Sequence, residues 1–376
     1  MKRLFRAFGV GQSSRTYTPT TYTTSPAAGT PESSRNPSPE SSRNPSPESS
    51  RSPSPVRSRS RNHPDLSELP SRPRRKAEAL AESIQSARES GADPEFISYA
   101  ETTLRNLASH TQPSVMETNL DIRHLNTIVQ SYRYNNLNLE AFNSKDAFVA
   151  SLVAGQGSGR AERGVVRDYP NLHHFAADVR HHEDGRTTVI ILEPASAGNQ
   201  ENLPGYTELA SALRYNLGSQ CRMVVIEAEA QKSLSDCVAF ALDFALVAYQ
   251  ERRTTFDQWH ENLAAYGTIA DNGVQDKKYG PFDRGLYQNY GIHLIKGWGV
   301  LPPVFYKHAH SHETLKGVEK RQPGSLETDV STGSNKNGAE SLEERMEAFS
   351  DRHGFRPRNI SIEASRARKI RHALES

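Results

Sequence analysis

Apolar residues recur at helical spacing from about residue 76 onward. RKAEALAESIQSARES (75–90) sets Ala, Leu and Ile between charges, and Gly91 is a natural stop, which predicts a helix. DPEFISYAETTLRNLASH (93–110) enters through Asp93–Pro94 and places Phe96, Tyr99, Leu104 and Leu107 on one stripe. ETNLDIRHLNTIVQSY (117–132) is a third candidate helix. Such one-sided helices must pack on something downstream. Between about 136 and 230 the pattern alternates between strand and helix. LNLEAF (137–142) reads as a strand, and SKDAFVASLVAG (144–155) as a helix capped by Ser144 and ended by Gly155. GQGSGR (155–160) follows a helix instead of leading from a strand into one, so it reads as a loop and not a phosphate cradle. The predicted class is α/β, a central mixed sheet flanked by helices.

Within LHHFAADVRHHEDGRTTVIILEPA (172–195), Asp184–Gly185 signals a two-residue hairpin turn between two strand-like runs. If Glu183 pairs with Arg186, then Ala176 faces Glu193 and His174 faces Ala195. His174 and Glu193 become diagonal neighbours on one face, and His173 falls on the other. A one-residue slip would reverse this assignment.

CRMVVIEAEA (221–230) reads as a buried strand. After the polar QKSLSD comes CVAFALDFALVAYQE (237–251), apolar nearly all round with Asp243 as the interruption, and therefore a core helix. Ser235 or Asp236 can cap it, which leaves Cys237 in the first turn. A thiol there meets the positive end of the helix dipole and free backbone N–H groups, conditions that favour thiolate. Cys221 begins a strand and reads as structural. A histidine oriented by a carboxylate is the usual activator of a catalytic thiol, so His174 and Glu193 are the expected partners of Cys237. Gln231 could present an N–H to an oxyanion.

Composition removes several alternatives. Residues 1–75 are rich in Ser, Pro, Thr and Arg, and repeat PESSRNPS at 31–38 and 39–46, then PESSRSPS at 47–54. The repeats contain nothing to bury and read as a disordered tail. With no aromatics interleaved, the Arg/Ser character does not indicate specific nucleic-acid binding. Net charge is +2 in 376 residues, so the whole molecule is no polycation. Two cysteines make neither a disulfide framework nor a zinc site, and no metal site is read from the sequence. No apolar run approaches the ~18 residues of a membrane span. Position 2 is Lys, which excludes N-myristoylation.

HFAADVRHHEDGRTTVIILEPA, MVVIEAEAQKSLSDC and LPPVFYKHAHS, in that order over roughly 115–316, resemble the YopJ family of type III secreted effectors. The resemblance implies a fold related to the ubiquitin-like-protein cysteine proteases, used for acetyl transfer from acetyl-CoA onto Lys, Ser or Thr of host proteins, with suppression of host immune signalling. It maps the family's triad onto His174, Glu193 and Cys237 and its oxyanion-hole Gln onto Gln231. Lys307 matches a lysine that the family can autoacetylate, and a CoA-proximal role is the other reading. The implied activator is inositol hexakisphosphate, which packs N- and C-terminal helices against the core. Implied locations are the host cytoplasm and the nucleus after secretion, and a secretion chaperone is a further partner the resemblance allows. Val238 stands where many members have Gly, which changes the backbone approach in the first helical turn. The competing reading is a protease that deconjugates ubiquitin-like modifiers, and a third is a non-enzymatic Arg/Ser scaffold.

The expected organisation is a tail over 1–75, regulatory helices over 76–130, a catalytic core over 131–320, a flexible linker over 321–345 and a basic helix over 346–376. The last segment carries Arg356, Arg358, Arg366, Arg368, Lys369 and Arg371, candidates for one half of a polyphosphate site because Arg forks match phosphate oxygens. Arg105 and Arg123 are candidates for the other half.

Overall fold

The long apolar runs become the strands of one six-stranded sheet. They are β1 (Leu139–Phe142), β2 (Ala161–Arg167), β3 (His174–His181), β4 (Thr187–Glu193), β5 (Cys221–Glu227) and β6 (His293–Lys296), adjacent in chain order. The β1–β2, β4–β5 and β5–β6 pairs are parallel, and β2–β3–β4 is an antiparallel meander. This computed structural model describes residues 64–376 except 133–135, 169, 199–200, 271–280, 332–337 and 354–357, and omits the side chains of 281–284. The Ser/Arg/Pro repeats therefore lie outside the described residues, as does Arg356. From Ser60 onward the chain forms one compact unit.

Both faces of the sheet are covered, so its central strands are buried throughout; TTVIILE in β4 has no exposed residue. Phe175, Ala177, Val189, Ile191 and Val225 belong to one core, under α4 (Lys145–Gly155), α5 (Leu203–Leu217) and α8 (Pro281–Tyr290). Ala176, Ile190, Leu192, Val224 and Ile226 belong to the other. That second core is built on α6 (Cys237–Gln250), buried from Cys237 to Ala248, as its uninterrupted apolar sequence requires. Behind α6 pack α1 (Ser71–Glu89), α2 (Pro94–Ala108), α3 (Val115–Ser131) and α11 (Ser361–Leu374). Local signals set their ends: Asp93 accepts from Glu95 N–H, Ser114 and Glu117 form a capping box, and Ser144 accepts from Ala147 N–H.

The remaining elements are α7 (Asp257–Tyr266), α9 (His312–Arg321), α10 (Leu342–Ala348) and the short pair β7 (Ser350–Asp351) and β8 (Arg358–Asn359). The segment expected to be a linker is partly anchored: Val330 is buried and bonds the Glu340 carbonyl at 2.9 Å, and α10 already begins at Leu342. Residues 303–306 form a 3-10 turn.

The hairpin register differs from expectation by one residue. Ala176 faces Leu192, not Glu193. His182 N–H donates to the Arg186 carbonyl and Gly185 N–H to the His182 carbonyl, so the loop is the three residues Glu183–Asp184–Gly185. Gly185 at φ +86 supplies the left-handed residue that closes such a loop. One extra loop residue exchanges the faces of β3 relative to β4. His173 thereby comes to the side of Glu193, and His174 turns away.

Candidate functional site

Cys237 is the first residue of α6 and is buried. Asp236 occupies the N-cap without making a side-chain cap bond, so it leaves the N–H groups of the first turn available. The thiol donates to the Leu172 carbonyl at 3.4 Å and is hydrogen-bonded to the His173 imidazole. On its other side His173 Nε2 donates to Glu193 Oε2 at 2.7 Å, so Nδ1 is the nitrogen left to face sulfur. Glu193 is fully buried and held by two more donors, Ala195 N–H to Oε1 at 2.6 Å and the Tyr206 hydroxyl to Oε2. Burial disfavours a charged His173, but the Glu193 carboxylate and the Cys237 sulfur outweigh it and raise the ring to about 10.

The structure does not bring His174 to Glu193. Burial pushes its imidazole down to about 4, and Nδ1 donates to the Leu172 carbonyl at 2.9 Å. It is a neutral core histidine on the face opposite Glu193. The triad that the structure assembles is Cys237, His173 and Glu193. Cys221 behaves as expected of a structural thiol, pushed up to about 12 by burial alone.

Beyond β5 the chain runs on beside the end of β4. Ala228 N–H bonds Glu193 C=O, Glu229 N–H bonds Ala195 C=O, and Gln231 N–H bonds Pro194 C=O, at 2.8, 3.0 and 2.9 Å. This lays the approach to Cys237 against the carboxylate end of the triad. Gln231 Nε2 donates to Ser233 C=O at 2.7 Å, while its buried Oε1 has no hydrogen-bond partner. The backbone N–H groups of Lys232 and Ser233 both point at His310 Nδ1, at 3.1 and 3.3 Å. Val238 is buried in the core of α6.

The basic residues expected to form the anion site divide into two groups. Arg366 is buried and committed to carboxylates, with Asp121 of α3 at 3.0 Å and Asp236, the residue before the nucleophile, at 2.7 Å. Arg358 bonds Glu363 at 2.9 Å, and Arg371 pairs with Glu375 at 3.5 Å. Arg105 bonds Thr102, and the exposed Arg123 stands 3.9 Å from Glu95. Each of these five has a polar partner of its own in the protein.

Lys369 and Lys307 are buried and reach Asp243 at 3.1 and 3.2 Å, with His308 at 3.4 Å, so Lys307 is not a surface acceptor. Around them lie Arg72, Lys76, Arg345 and Arg368, with Asp243 and Glu340 as carboxylate partners. Burial lowers Lys76 well below the usual lysine value, and the neighbouring Arg345, Arg368, Lys369 and Lys307 lower it further. Burial and the neighbouring Arg368 and Lys307 bring Lys369 down to about 8 despite Asp243. Tyr206, Arg72, Lys76 and Arg345 were missed in the sequence; the one signal for the seam's depth was Asp243, the single charge in an apolar helix.

Comparison with known proteins gives the family. The family model described as YopJ Serine/Threonine acetyltransferase matches residues 96–372. A serine/threonine-protein acetyltransferase of Sinorhizobium fredii is 35% identical over 246 residues, covering 64% of this chain and 91% of its own. HopZ1a of Pseudomonas syringae pv. syringae, also a serine/threonine-protein acetyltransferase, is 29% identical over 259 residues, 64% of this chain and 68% of its own. The crystal structure of HopZ1a in complex with IP6 and CoA superposes with a TM-score of 0.68 at 26% identity, over 82% of this chain and 99% of that one. AvrA with IP6 and CoA, at 22% identity and a TM-score of 0.58, shares the fold. No described helix is long and apolar enough to cross a membrane.

Proposed function

The chain belongs to the YopJ family of serine/threonine acetyltransferases, and from that premise we propose that it is a bacterial type III effector acetylating host proteins from acetyl-CoA through acetyl-Cys237. The observation that carries the mechanism is the hydrogen-bonded series Cys237, His173, Glu193, Tyr206. A protonated His173 beside sulfur is the electrostatic condition for a thiolate nucleophile. The thiolate adds to the thioester carbonyl of acetyl-CoA, and the C–S bond to CoA breaks as the new one forms. The oxyanion that forms in between lies against the first-turn N–H groups of α6, with a Gln231 N–H as the side-chain donor.

Acylation removes the negative sulfur that helps to hold His173 charged. The ring can then give its proton to the departing CoA thiolate and become the neutral base that the second half-reaction needs. It accepts the proton of a serine or threonine hydroxyl as that oxygen attacks the acetyl carbon and Cys237 leaves as thiolate. Glu193, fixed by three donors, holds the ring orientation throughout. Incubation with acetyl-CoA should add one acetyl group to the intact mass, and Cys237→Ala should add none. Equal masses for the two proteins would remove the mechanism.

Inositol hexakisphosphate fits the seam of Arg72, Lys76, Lys307, Arg345, Arg368 and Lys369 better than the outer faces of α2 and α3. Six cations share Asp243 and Glu340 there, and Arg345, Arg368, Lys369 and Lys307 press on Lys76 with like charge. The polyphosphate would supply the negative charge this donor set lacks. At about 100 times its Kd it should stabilise the fold by about 2.7 kcal/mol, or roughly 5–10 °C in Tm for a core of this size. The shift should vanish in Lys76→Ala/Arg368→Ala and persist in Arg105→Ala/Arg123→Ala. The reverse pattern would return the site to the outer helix faces.

A further inference from the structure

Away from the triad and the cationic seam, three distant segments bring metal-ligating groups together. Glu68 lies in the lead-in to α1, His110 just beyond α2, and His353 just beyond β7, and their donor atoms all lie within 4.8 Å of one another. The two imidazoles stack, with ring centroids 4.0 Å apart and planes 28° from parallel. Buried Asp351 holds both rings by the same nitrogen, His110 Nδ1 on Oδ2 and His353 Nδ1 on Oδ1, each at 3.0 Å. That leaves both Nε2 atoms facing Glu68 Oε2, at 3.9 and 3.7 Å. His110 Nε2 is buried and has no hydrogen-bond partner, although its residue adopts φ 55, which is uncommon outside glycine.

We propose that Glu68, His110 and His353 bind a zinc-class divalent ion that ties these three segments together. A carboxylate taking the Nδ1–H of each imidazole is the arrangement that fixes the tautomer and frees Nε2 for a metal. Two imidazole nitrogens and one carboxylate oxygen are a borderline-soft donor set suited to zinc, not to magnesium or calcium. Tetrahedral bonds of about 2.0–2.1 Å place donors about 3.3 Å apart, so the Glu68 oxygen must close on each ring by roughly half an ångström, and the two Nε2 atoms on each other from a separation within 4.8 Å. Half-exposed His353 and exposed Glu68 leave an entry path and a fourth position for water. Asp351 also pairs with β8 and lies 3.8 Å from Arg358, so its own carboxylate is already engaged and acts on the rings, not on the ion. Cysteine spacing cannot reveal such a site, because its ligands are scattered along the chain and none is Cys. No step of acetyl transfer depends on it, so its failure and that of the proposed function are separable.

The test uses the untagged full-length chain, freed of metal by chelator and titrated with zinc sulfate by calorimetry, with bound metal counted after desalting. One zinc per chain is expected, with a rise in Tm. Glu68→Gln, which alters only an exposed side chain, should weaken binding about tenfold or more. Asp351→Asn should weaken it about 10–100-fold, and His110→Gln/His353→Gln should abolish it. No saturable binding to the full chain would overturn the proposal. So would binding that survives the double variant, or that is lost instead in Cys237→Ala.

Discussion

Exchanging two adjacent histidines for glutamine separates the register seen in the structure from the one the turn sequence suggested. His173→Gln removes the only ring that joins Cys237 to Glu193. Loss of a positioned acid–base group costs about 10²–10⁴-fold, which is roughly 3–5 kcal/mol of barrier. His174→Gln removes a buried neutral ring and its 2.9 Å bond to the Leu172 carbonyl. That loss acts on stability, about 1–3 kcal/mol for a buried hydrogen-bond partner, and on Tm by about 2–4 °C per kcal/mol. The assay is single-turnover acetylation of Cys237, followed by quenched mass spectrometry well below both melting temperatures, with circular dichroism confirming the fold. His174→Gln should stay within about tenfold of the parent rate, on a scale where 1.4 kcal/mol is tenfold. A folded His174→Gln as inactive as His173→Gln would refute the assignment, and so would a His173→Gln that acylates at the parent rate.

Tyr206→Phe removes one of three donors to Glu193 and should lower kcat about tenfold with little change in KM, a loss of roughly 1–2 kcal/mol for a hydrogen bond to a charged group; unchanged kcat would show that two donors suffice. Asp243→Asn leaves Lys307, Lys369 and His308 without their shared carboxylate and should cost about 3–5 kcal/mol in urea unfolding, whereas a change below about 1 kcal/mol would show that these cations are already neutral or solvated. His173 is raised from 6.5 to about 10 in the folded state, so its pairing stabilises fully below about pH 6.5 and the contribution is lost as pH climbs to about 10. The unfolding free-energy difference between the parent and His173→Gln should therefore shrink by on the order of 4–5 kcal/mol across that window, and a constant difference would contradict the ion pair.

How much of this was legible depended on the range of the interaction. The Ser144 cap and Gly155 end of α4, the apolar α6, and Cys237 in its first turn are written in runs of a dozen residues, and each formed where it was read. The hairpin was legible as a hairpin but not in register. Asp184–Gly185 serves a two-residue turn or the end of a three-residue loop, and only backbone bonds around Glu183 distinguish them. That one ambiguity decided which of His173 and His174 was read beside Glu193, because a strand's side chains alternate and a triad needs one face. Tyr206 and the Asp351 pair of rings were not legible at all, since their partners are fixed by the sheet and not by spacing.

The same reasoning explains why the basic run SRARKIRHAL gave the helix but not the division of its cations. Arginine and lysine count equally in a sequence, but α11 turns Arg366 and Lys369 inward onto one side and leaves Arg368 outside. Arg366 reaches Asp236, directly before the nucleophile, and Lys369 reaches Asp243, further along the same core helix. α11 is therefore clamped to α6 by two carboxylates that α6 carries. The second clamp is overloaded, because Asp243 must satisfy Lys307, Lys369 and His308 while Lys76, Arg345 and Arg368 press on the group with like charge. The first clamp carries the opposite excess, one Arg366 between two carboxylates, Asp121 and Asp236. On the proposed reading, polyphosphate charge brought to the second clamp would firm the docking of α11 and with it, through Arg366, the seat of Asp236, the residue that precedes Cys237.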